Sequence, residues 1–136
     1  MKKLLSIVLI ILLLTGCKKF IENKKEDAIV NAMTSGQWVV TSFSQNNIDM
    51  TSSFSGYKFQ YYSNNTVDAI KNSVVEKTGT WNGDAASLTI SANFSNVVEP
   101  LSLLNGNWHI DNNSWTFVLA SQSTGGETRI LRLDKL

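Results

Sequence analysis

Hydrophobic and polar positions alternate in short runs from residue 37 to the C-terminus, a pattern that is typical of β-strands. Threonine, valine and aromatic residues dominate these runs, as they do in strands. In the clearest run, Tyr57, Phe59 and Tyr61 fall on one face. The same spacing groups two further sets, which are Leu88, Ile90, Ala92 and Phe94 in one strand and Trp115, Phe117 and Leu119 in another. We expect such faces to be buried.

Pairs of residues that accept positive φ angles interrupt these runs at intervals that a strand can fill. The pairs are Asn46-Asn47, Asn64-Asn65, Asn72-Ser73, Asn82-Gly83, Asn105-Gly106, Asn112-Asn113 and Gly125-Gly126. These seven reversals separate eight predicted strands. The strands are Gln37 to Gln45, Tyr57 to Tyr62, Thr66 to Lys71, Val74 to Trp81, Ser87 to Phe94, Asn107 to Asp111, Trp115 to Ser121 and Thr128 to Asp134.

Most connections are too short for a crossover helix, which excludes a parallel sheet and predicts an antiparallel meander. Such a meander closes into an up-and-down barrel or splits into a sandwich, and closure removes exposed edges. We therefore predict an all-β fold, an eight-stranded antiparallel barrel. Residues 46–56 fit a loop over one end. Residues 95–106 are rich in apolar side chains, and they extend a strand, form a helical turn or cap the mouth of the cavity.

The N-terminal part of the chain has a different texture. Ala28, Ile29, Ala32 and Met33 have helical spacing within Glu26 to Met33, and Gly36 can end that helix. Before them, residues 17–27 are dense in charge and suit a solvated tether. Residues 28–136 form the predicted barrel domain, with a short N-terminal helix.

The first 16 residues read as an export signal, with Lys2 and Lys3 ahead of an aliphatic run from Leu4 to Leu14. At about 1.5 Å per residue, this run spans roughly half of a 30 Å hydrocarbon core, too little for a transmembrane helix. The segment Leu14-Thr15-Gly16-Cys17 resembles the lipobox of bacterial lipoproteins. The resemblance implies cleavage after Gly16 and acyl chains on Cys17, which together anchor stably in a membrane. We expect a cell-envelope location, in the outer membrane, with the leaflet and face open.

Charge and cysteine content narrow the function further. The 12 Lys and Arg side chains include Lys2 and Lys3, so the processed chain keeps 10 against 11 Asp and Glu. That balance argues against binding to nucleic acid, which needs a basic face. Cys17 is the only cysteine. Once it is acylated, neither a disulfide nor a thiolate metal site is available.

A family resemblance appears at Gly36-Gln37-Trp38. A Gly-x-Trp at the first strand, after a short helix, resembles the opening motif of the lipocalins. Three later elements extend the likeness to the lipocalin-like lipoproteins common in Bacteroidota, and they are Thr78-Gly79-Thr80-Trp81, Gly106-Asn107-Trp108 and Leu131-Arg132-Leu133. The resemblance implies an internal cavity and an arginine packed on Trp38, for which Arg129 and Arg132 are the candidates. The absence of the family's Thr-Asp-Tyr triplet puts a spacious cavity in doubt.

The sequence carries no enzyme signature. His109 is the only histidine, and Asp111 shares its strand face. No nucleophile motif such as Gly-x-Ser-x-Gly accompanies this pair, so an exposed, solvated histidine is the expected reading. The carboxylates are scattered singly, and no phosphate-binding glycine loop is present. We expect no catalytic residue, no metal and no cofactor.

Two functions remain. The first is an anchored monomer that binds a small apolar or amphipathic ligand inside the barrel. Its candidate wall residues are Tyr57, Phe59, Tyr61, Leu88, Ile90, Trp115 and Phe117. The alternative is an accessory envelope protein with a filled barrel that binds another protein or a glycan through its surface and loops. A cavity of at least about 300 Å³ would favour the first function.

Overall fold

The computed structural model of the chain describes residues 24–136. The predicted leader and the lipidation site Cys17 lie outside this range. Residues 24–34 form a helix, α1. The strands that follow are β1 (Trp38–Gln45), β2 (Ile48–Asp49), β3 (Tyr57–Tyr61), β4 (Thr66–Lys71), β5 (Val74–Asp84), β6 (Thr89–Asn93), β7 (Gly106–Asn113), β8 (Phe117–Thr124) and β9 (Glu127–Lys135). Among these residues, no helix is long and apolar enough to cross a bilayer.

Eight of the strands form a closed antiparallel up-and-down barrel, as predicted. Each barrel strand pairs with its neighbour in sequence, and β2 only extends β1 by a short hairpin. The barrel closes where β1 pairs with β9, from Trp38 opposite Lys135 to Gln45 opposite Arg129. A bulge between Val40 and Ser42 shifts this register. Because a bulge changes which residues face inward, Trp38 and Phe43 can both be buried on the same strand.

The turn predictions hold at some pairs and fail at others. Asn46-Asn47, Asn72-Ser73 and Gly125-Gly126 all have positive φ angles at strand reversals. In contrast, Asn82-Gly83 lies inside β5, and Asn112-Asn113 lies inside β7. The actual reversals follow at residues 85–88 and 114–116. The strand predicted to start at Trp115 therefore starts at Phe117, and Leu88 lies in a turn with a φ of 52°.

The alternation in β8 has the opposite phase to the predicted one. Val118, Ala120 and Gln122 are buried, whereas Phe117 and Leu119 are only partly buried. The prediction was wrong because apolar residues occupy both faces of this strand, so periodicity alone could not choose the inward one. Phe117 instead lies under the guanidinium of Arg132, 4.4 Å from ring centroid to Cζ.

Both ends of the barrel are covered. At one end, called the upper end here, two 3-10 helices (Thr51–Phe54 and Leu101–Leu104) lie in the long connections before β3 and β7. Phe54 of the first and Leu101, Leu103 and Leu104 of the second are buried. Of the roles open to residues 95–106, the helical turn that caps the mouth is the observed one. The opposite, lower end carries α1 and the β3–β4, β5–β6 and β7–β8 turns.

Candidate functional site

The barrel interior is filled by side chains. Four predicted wall residues, Tyr57, Phe59, Tyr61 and Ile90, are buried there. Phe59 stacks on Tyr57 with 6.1 Å between ring centroids and tilts against Phe94 at 6.5 Å. The cavity beside Phe59, Tyr61, Ile90 and Phe94 measures about 20 Å³. That is about the room for one water molecule. Among residues 24–136, the barrel interior therefore leaves no ligand-sized cavity.

The two inward tyrosines stay neutral at physiological pH. Burial raises the pKa of Tyr57 to about 12, helped by the bond that its hydroxyl donates to Glu76 Oε2. Burial also raises the pKa of Tyr61, whose ring meets that of Trp81 edge-on at 5.4 Å. Both rings therefore serve as packed walls, and neither is poised to exchange a proton near pH 7.

A larger space lies outside the barrel, at its lower end. It measures about 430 Å³ and runs between α1 and the β5–β6 and β7–β8 turns. Ala28, Ile29 and Ala32 of α1 form one wall, and Leu88 and Trp115 contribute to the other. We call it the α1 groove. Leu88 and Trp115 were predicted to line the interior. The structure instead brings them together in this groove, where they are 51% and 54% exposed.

Close packing against the barrel holds α1 beside this groove. A Cβ on Gly83 would lie only 2.7 Å from Cγ2 of Ile29, so the helix approaches β5 so closely that any larger residue would force a shift. At the end of the helix Met33 is buried, and its carbonyl oxygen accepts a hydrogen bond of 2.9 Å from Trp38 Nε1. The helix is thus fixed to the first strand through the predicted signature tryptophan.

The cation packed on Trp38 is a lysine. The prediction that Arg129 or Arg132 packs on this ring is therefore wrong. Lys135 Nζ lies 4.9 Å from the Trp38 ring and 4.2 Å from the Trp115 ring, between two indoles. Within residues 24–136, it is the one buried side-chain polar atom found without a hydrogen-bond partner. Burial lowers the pKa of Lys135 accordingly. Gly36, with a φ of +81°, lets the chain turn into β1 while its α-carbon lies beside the Lys135 side chain.

The two predicted arginines take other positions. Arg129 lies at the upper end, where its guanidinium donates to Gln45 Oε1 at 3.0 Å and Glu127 Oε2 at 3.0 Å. It also donates to Gln122 Oε1 at 3.2 Å and to the carbonyl oxygen of Leu103 at 3.4 Å, which ties the second cap to the barrel. We call these contacts the Arg129 clamp.

Arg132 lies on the outer face of β9. Its guanidinium makes two bonds to Asp134, at 2.8 and 3.0 Å. Asp134 also accepts a bond from Thr41 of β1, across the closing seam of the barrel. The hydrogen bonds from Arg132 have the largest effect on the pKa of Asp134 and lower it. Desolvation raises this pKa by a smaller amount and the bond from Thr41 lowers it again, so the pKa lies below its usual value. Arg132 thus supports closure from outside.

The His109 and Asp111 pair is exposed, as predicted. Nδ1 of His109 lies 3.0 Å from Oδ1 of Asp111, with the side chains 57% and 40% exposed. Hydrogen bonds from Ser121 and then His109 lower the pKa of Asp111. Across residues 24–136, no three His, Cys, Asp or Glu side chains are placed to hold a metal ion. The pair therefore has the geometry of a surface ion pair.

Comparisons with known proteins rest on structure alone. No family model and no curated protein matches the sequence. A crystal structure of a DUF4847 family protein from Bacteroides vulgatus superposes with a TM-score of 0.55 and 15% identity, over 78% of this chain and 96% of that one. Japanin from Rhipicephalus appendiculatus, a lipocalin solved bound to cholesterol, superposes with a TM-score of 0.52 and 12% identity, over 77% of each chain. The fold is lipocalin-like.

Sequence reasoning missed two residues that organise the ends of this barrel. Gln122 is buried, and its amide donates to the carbonyls of Asn105 at 3.0 Å and Asn107 at 3.2 Å. Lys135 lies one residue beyond the last predicted strand, Thr128 to Asp134, and so was given no role. The signal was present for Lys135, because it continues the alternation of Leu131 and Leu133 and must share their inward face.

Proposed function

We propose that this lipocalin-like protein is a lipid-anchored, non-enzymatic binding protein of the cell envelope that holds a small amphipathic ligand in the α1 groove. The observation that carries the proposal is the contrast in volume between groove and interior, about 430 Å³ against about 20 Å³. Pockets for small molecules measure about 300–1,000 Å³ and are mostly apolar. Japanin, of the same fold, is bound to cholesterol, which supports a ligand-binding role for such a barrel.

The cost of opening the barrel argues for the groove over the interior. An empty cavity costs about 24 cal/mol per Å³, so clearing about 300 Å³ would cost roughly 7 kcal/mol before any ligand filled it. Domains of this size are stable by only about 5–15 kcal/mol. The groove exists without that cost, and its exposed Trp115 and Leu88 gain burial when an apolar ligand covers them.

The predicted lipid anchor at Cys17 also favours a binding site at the lower end of the barrel. Cys17 is seven residues before Lys24, which is helical, and seven residues span at most about 25 Å. Lys25 lines the groove. If Cys17 carries acyl chains, the groove therefore lies within a short distance of the membrane surface. An amphipathic molecule leaving that surface would reach the groove before it reached the upper end.

The test is native mass spectrometry of the protein isolated from its own cells, followed by titration of the stripped protein with the molecule released. We expect a co-purified amphiphile and its loss in a Trp115→Ser variant. The matched control is Tyr62→Ser, since Tyr62 is also an exposed aromatic residue, at 41%, but lies in the β3–β4 turn outside the residues lining the groove. Equal binding by both variants would place the ligand elsewhere. No bound molecule and no binding of amphiphiles would contradict the proposal.

The anchor has its own test. A Cys17→Ser variant should leave the membrane fraction while an unmodified chain stays in it. Retention of the variant in washed membranes would mean that acylation is not what holds the protein there.

The alternative, a filled barrel that binds a protein or glycan, is favoured by one feature of the upper end. Ile48 and Val98 are 67% and 82% exposed in the connections around the caps. Under this alternative, a double variant with Ile48→Ser and Val98→Ser would no longer bind the protein or glycan partner. Under the groove proposal, the same variant would keep its ligand.

A further inference from the structure

We propose that the ligand of the α1 groove is a single-chain amphiphile with an anionic head group, and that Lys25 and Lys135 select it by charge. This inference rests on the proposed function and adds the chemical class of the ligand. It comes from the charges at the groove, because the apolar walls alone would accept a neutral or a cationic amphiphile equally well.

The charges around the groove are asymmetric. Lys25 is the one ionisable side chain among its described lining residues. The acid nearest in sequence to a lining residue of the turns is Asp84, next to Ala85. Its carboxylate is already engaged, since Oδ1 accepts the backbone N–H of Ala86 at 2.9 Å and of Ser87 at 3.4 Å. An anionic head group therefore meets a cation in the wall of the groove, and the acids that neighbour lining residues in sequence, Glu26, Asp27, Asp84 and Asp111, are not among the residues that line it.

Lys135 adds a second, unsatisfied cation. Its ammonium is buried without a hydrogen-bond partner in the described chain, and its nearest aromatic cover is Trp115, a lining residue of the groove. An ammonium can donate three hydrogen bonds, and a buried one that makes none is held at an energetic disadvantage. A carboxylate or phosphate oxygen is the acceptor that would relieve it most, through a charge-assisted bond.

The position of Trp115 allows that contact. The residue lies in the surface turn between β7 and β8, and its side chain is half exposed. Lys135 Nζ is shielded from solvent and lies 4.2 Å from the Trp115 ring, so a movement of the indole would open the ammonium to a ligand oxygen. The indole then remains available to cover the alkyl chain of the ligand. Trp115 thus becomes both the cover of the cation and part of the apolar wall.

The experiment compares three amphiphiles with the same chain and different heads, which are laurate, lauryl alcohol and laurylammonium. Each is titrated below its micelle concentration into the Cys17→Ser protein by calorimetry. We expect laurate to bind about tenfold to a hundredfold more tightly than lauryl alcohol, as one hydrogen bond to a charged group would give. We expect laurylammonium to bind most weakly.

Variants then test the two lysines. Lys135→Met and Lys25→Met should each reduce the preference for laurate over lauryl alcohol and leave the alcohol's affinity nearly unchanged. Lys58→Met is the matched control, because Lys58 is an exposed lysine on β3 and should keep the full preference. A preference for laurate that survives in both groove variants would overturn the inference.

The outcomes separate this inference from the proposed function. If laurate and lauryl alcohol bind equally in the wild type, the head-group inference fails and the groove proposal stands. If none of the three binds, the groove proposal fails and takes the inference with it. If the protein ignores laurate but binds vesicles of anionic phospholipid, the lysines serve a membrane surface and the inference is again overturned.

Discussion

The upper and lower ends of the barrel each place one cation on the inner face of β9, and they treat it differently. Arg129 and Lys135 share the inward phase of the buried Leu131 and Leu133. At the upper end the guanidinium reaches four side-chain or carbonyl acceptors. At the lower end the ammonium has two indole faces and no hydrogen-bond acceptor in the described chain.

This difference in hydrogen bonding indicates that the upper end stays closed. Arg129 and Gln122 satisfy each other and the backbone of the second cap, so moving that cap would expose several polar groups at once. A satisfied polar network of this kind rigidifies its surroundings. The lower end keeps an unsatisfied cation beside an open groove. We therefore propose that the upper end serves stability and the lower end serves binding.

The largest expected effect comes from Gly106 at the upper end. Gly106 has a φ of +105°, and a Cβ there would lie 2.6 Å from Nε2 of Gln122. Gly106→Ala combines backbone strain of about 1–3 kcal/mol with displacement of a buried amide, worth about 1–3 kcal/mol. We expect the free energy of unfolding in urea to fall by about 3 kcal/mol.

Gly126→Ala is the control for this substitution. Gly126 also has a positive φ, at +83°, but no described atom lies within 4 Å of its added Cβ. It should lose only the strain contribution, about 1 kcal/mol. Equal losses in the two variants would show that the Gln122 contacts do not hold the upper cap.

Next in size is the loss of the Arg129 clamp. Arg129→Met leaves the oxygens of Gln45, Gln122 and Leu103 without this donor, in a side chain that is only 19% exposed. We expect a loss of about 2–3 kcal/mol in urea unfolding. Arg132→Met is the comparison, because that side chain is 41% exposed and should cost less than about 1 kcal/mol.

The lower end should respond to the same chemical change in the opposite direction. Lys135→Met keeps most of the length of the side chain and removes its buried charge. Two cation–π contacts are worth about 0.5–2 kcal/mol each. Removing an ammonium that lacks a hydrogen-bond partner among the described residues offsets the loss of these contacts. We expect the free energy of unfolding to stay the same or to rise by about 1 kcal/mol. A loss as large as that of Arg129→Met would remove the contrast between the ends.

Much of this architecture was readable from sequence. The reversals at Asn46-Asn47, Asn72-Ser73 and Gly125-Gly126 follow from residues that accept positive φ, and short connections impose antiparallel pairing. Closure through Trp38 and the last strand was expected and is observed. The turns and the antiparallel pairing depend on the local backbone preferences of individual residues, and these can be read directly from the sequence.

The groove was not readable for a different reason. Leu88 and Trp115 lie in turns that were predicted as strands, so their apparent alternation with Ile90 and Phe117 had no structural meaning. The groove also depends on how α1 packs on Gly83, which is a contact between distant parts of the chain. Sequence periodicity reports which faces are apolar, but it does not report how two elements meet.

The smallest effect, and the most direct test of the lower end, is a dependence on pH. Burial lowers the pKa of Lys135 below its usual 10.5, so between the folded value and 10.5 the unfolded chain binds more protons than the folded one. The free energy of unfolding contributed by this residue must therefore rise with pH through that window. Tyr57 and Tyr61 act in the opposite direction above about pH 10, since their raised pKa values favour the unfolded chain once it can deprotonate. Subtracting the free energy of unfolding of the Lys135→Met variant from that of the wild type at each pH removes the tyrosine contribution, because both proteins share it.

Urea unfolding of both proteins from about pH 7 to about pH 10 should show that the free energy of unfolding of the wild type rises relative to that of the variant as the pH rises. The sign matters more than the size. A salt-bridged lysine would have a raised pKa, and the wild type would then lose ground to the variant in alkaline solution. Parallel curves would mean that the ammonium titrates as it does in water, and that the lower end holds no unsatisfied charge for a ligand to find.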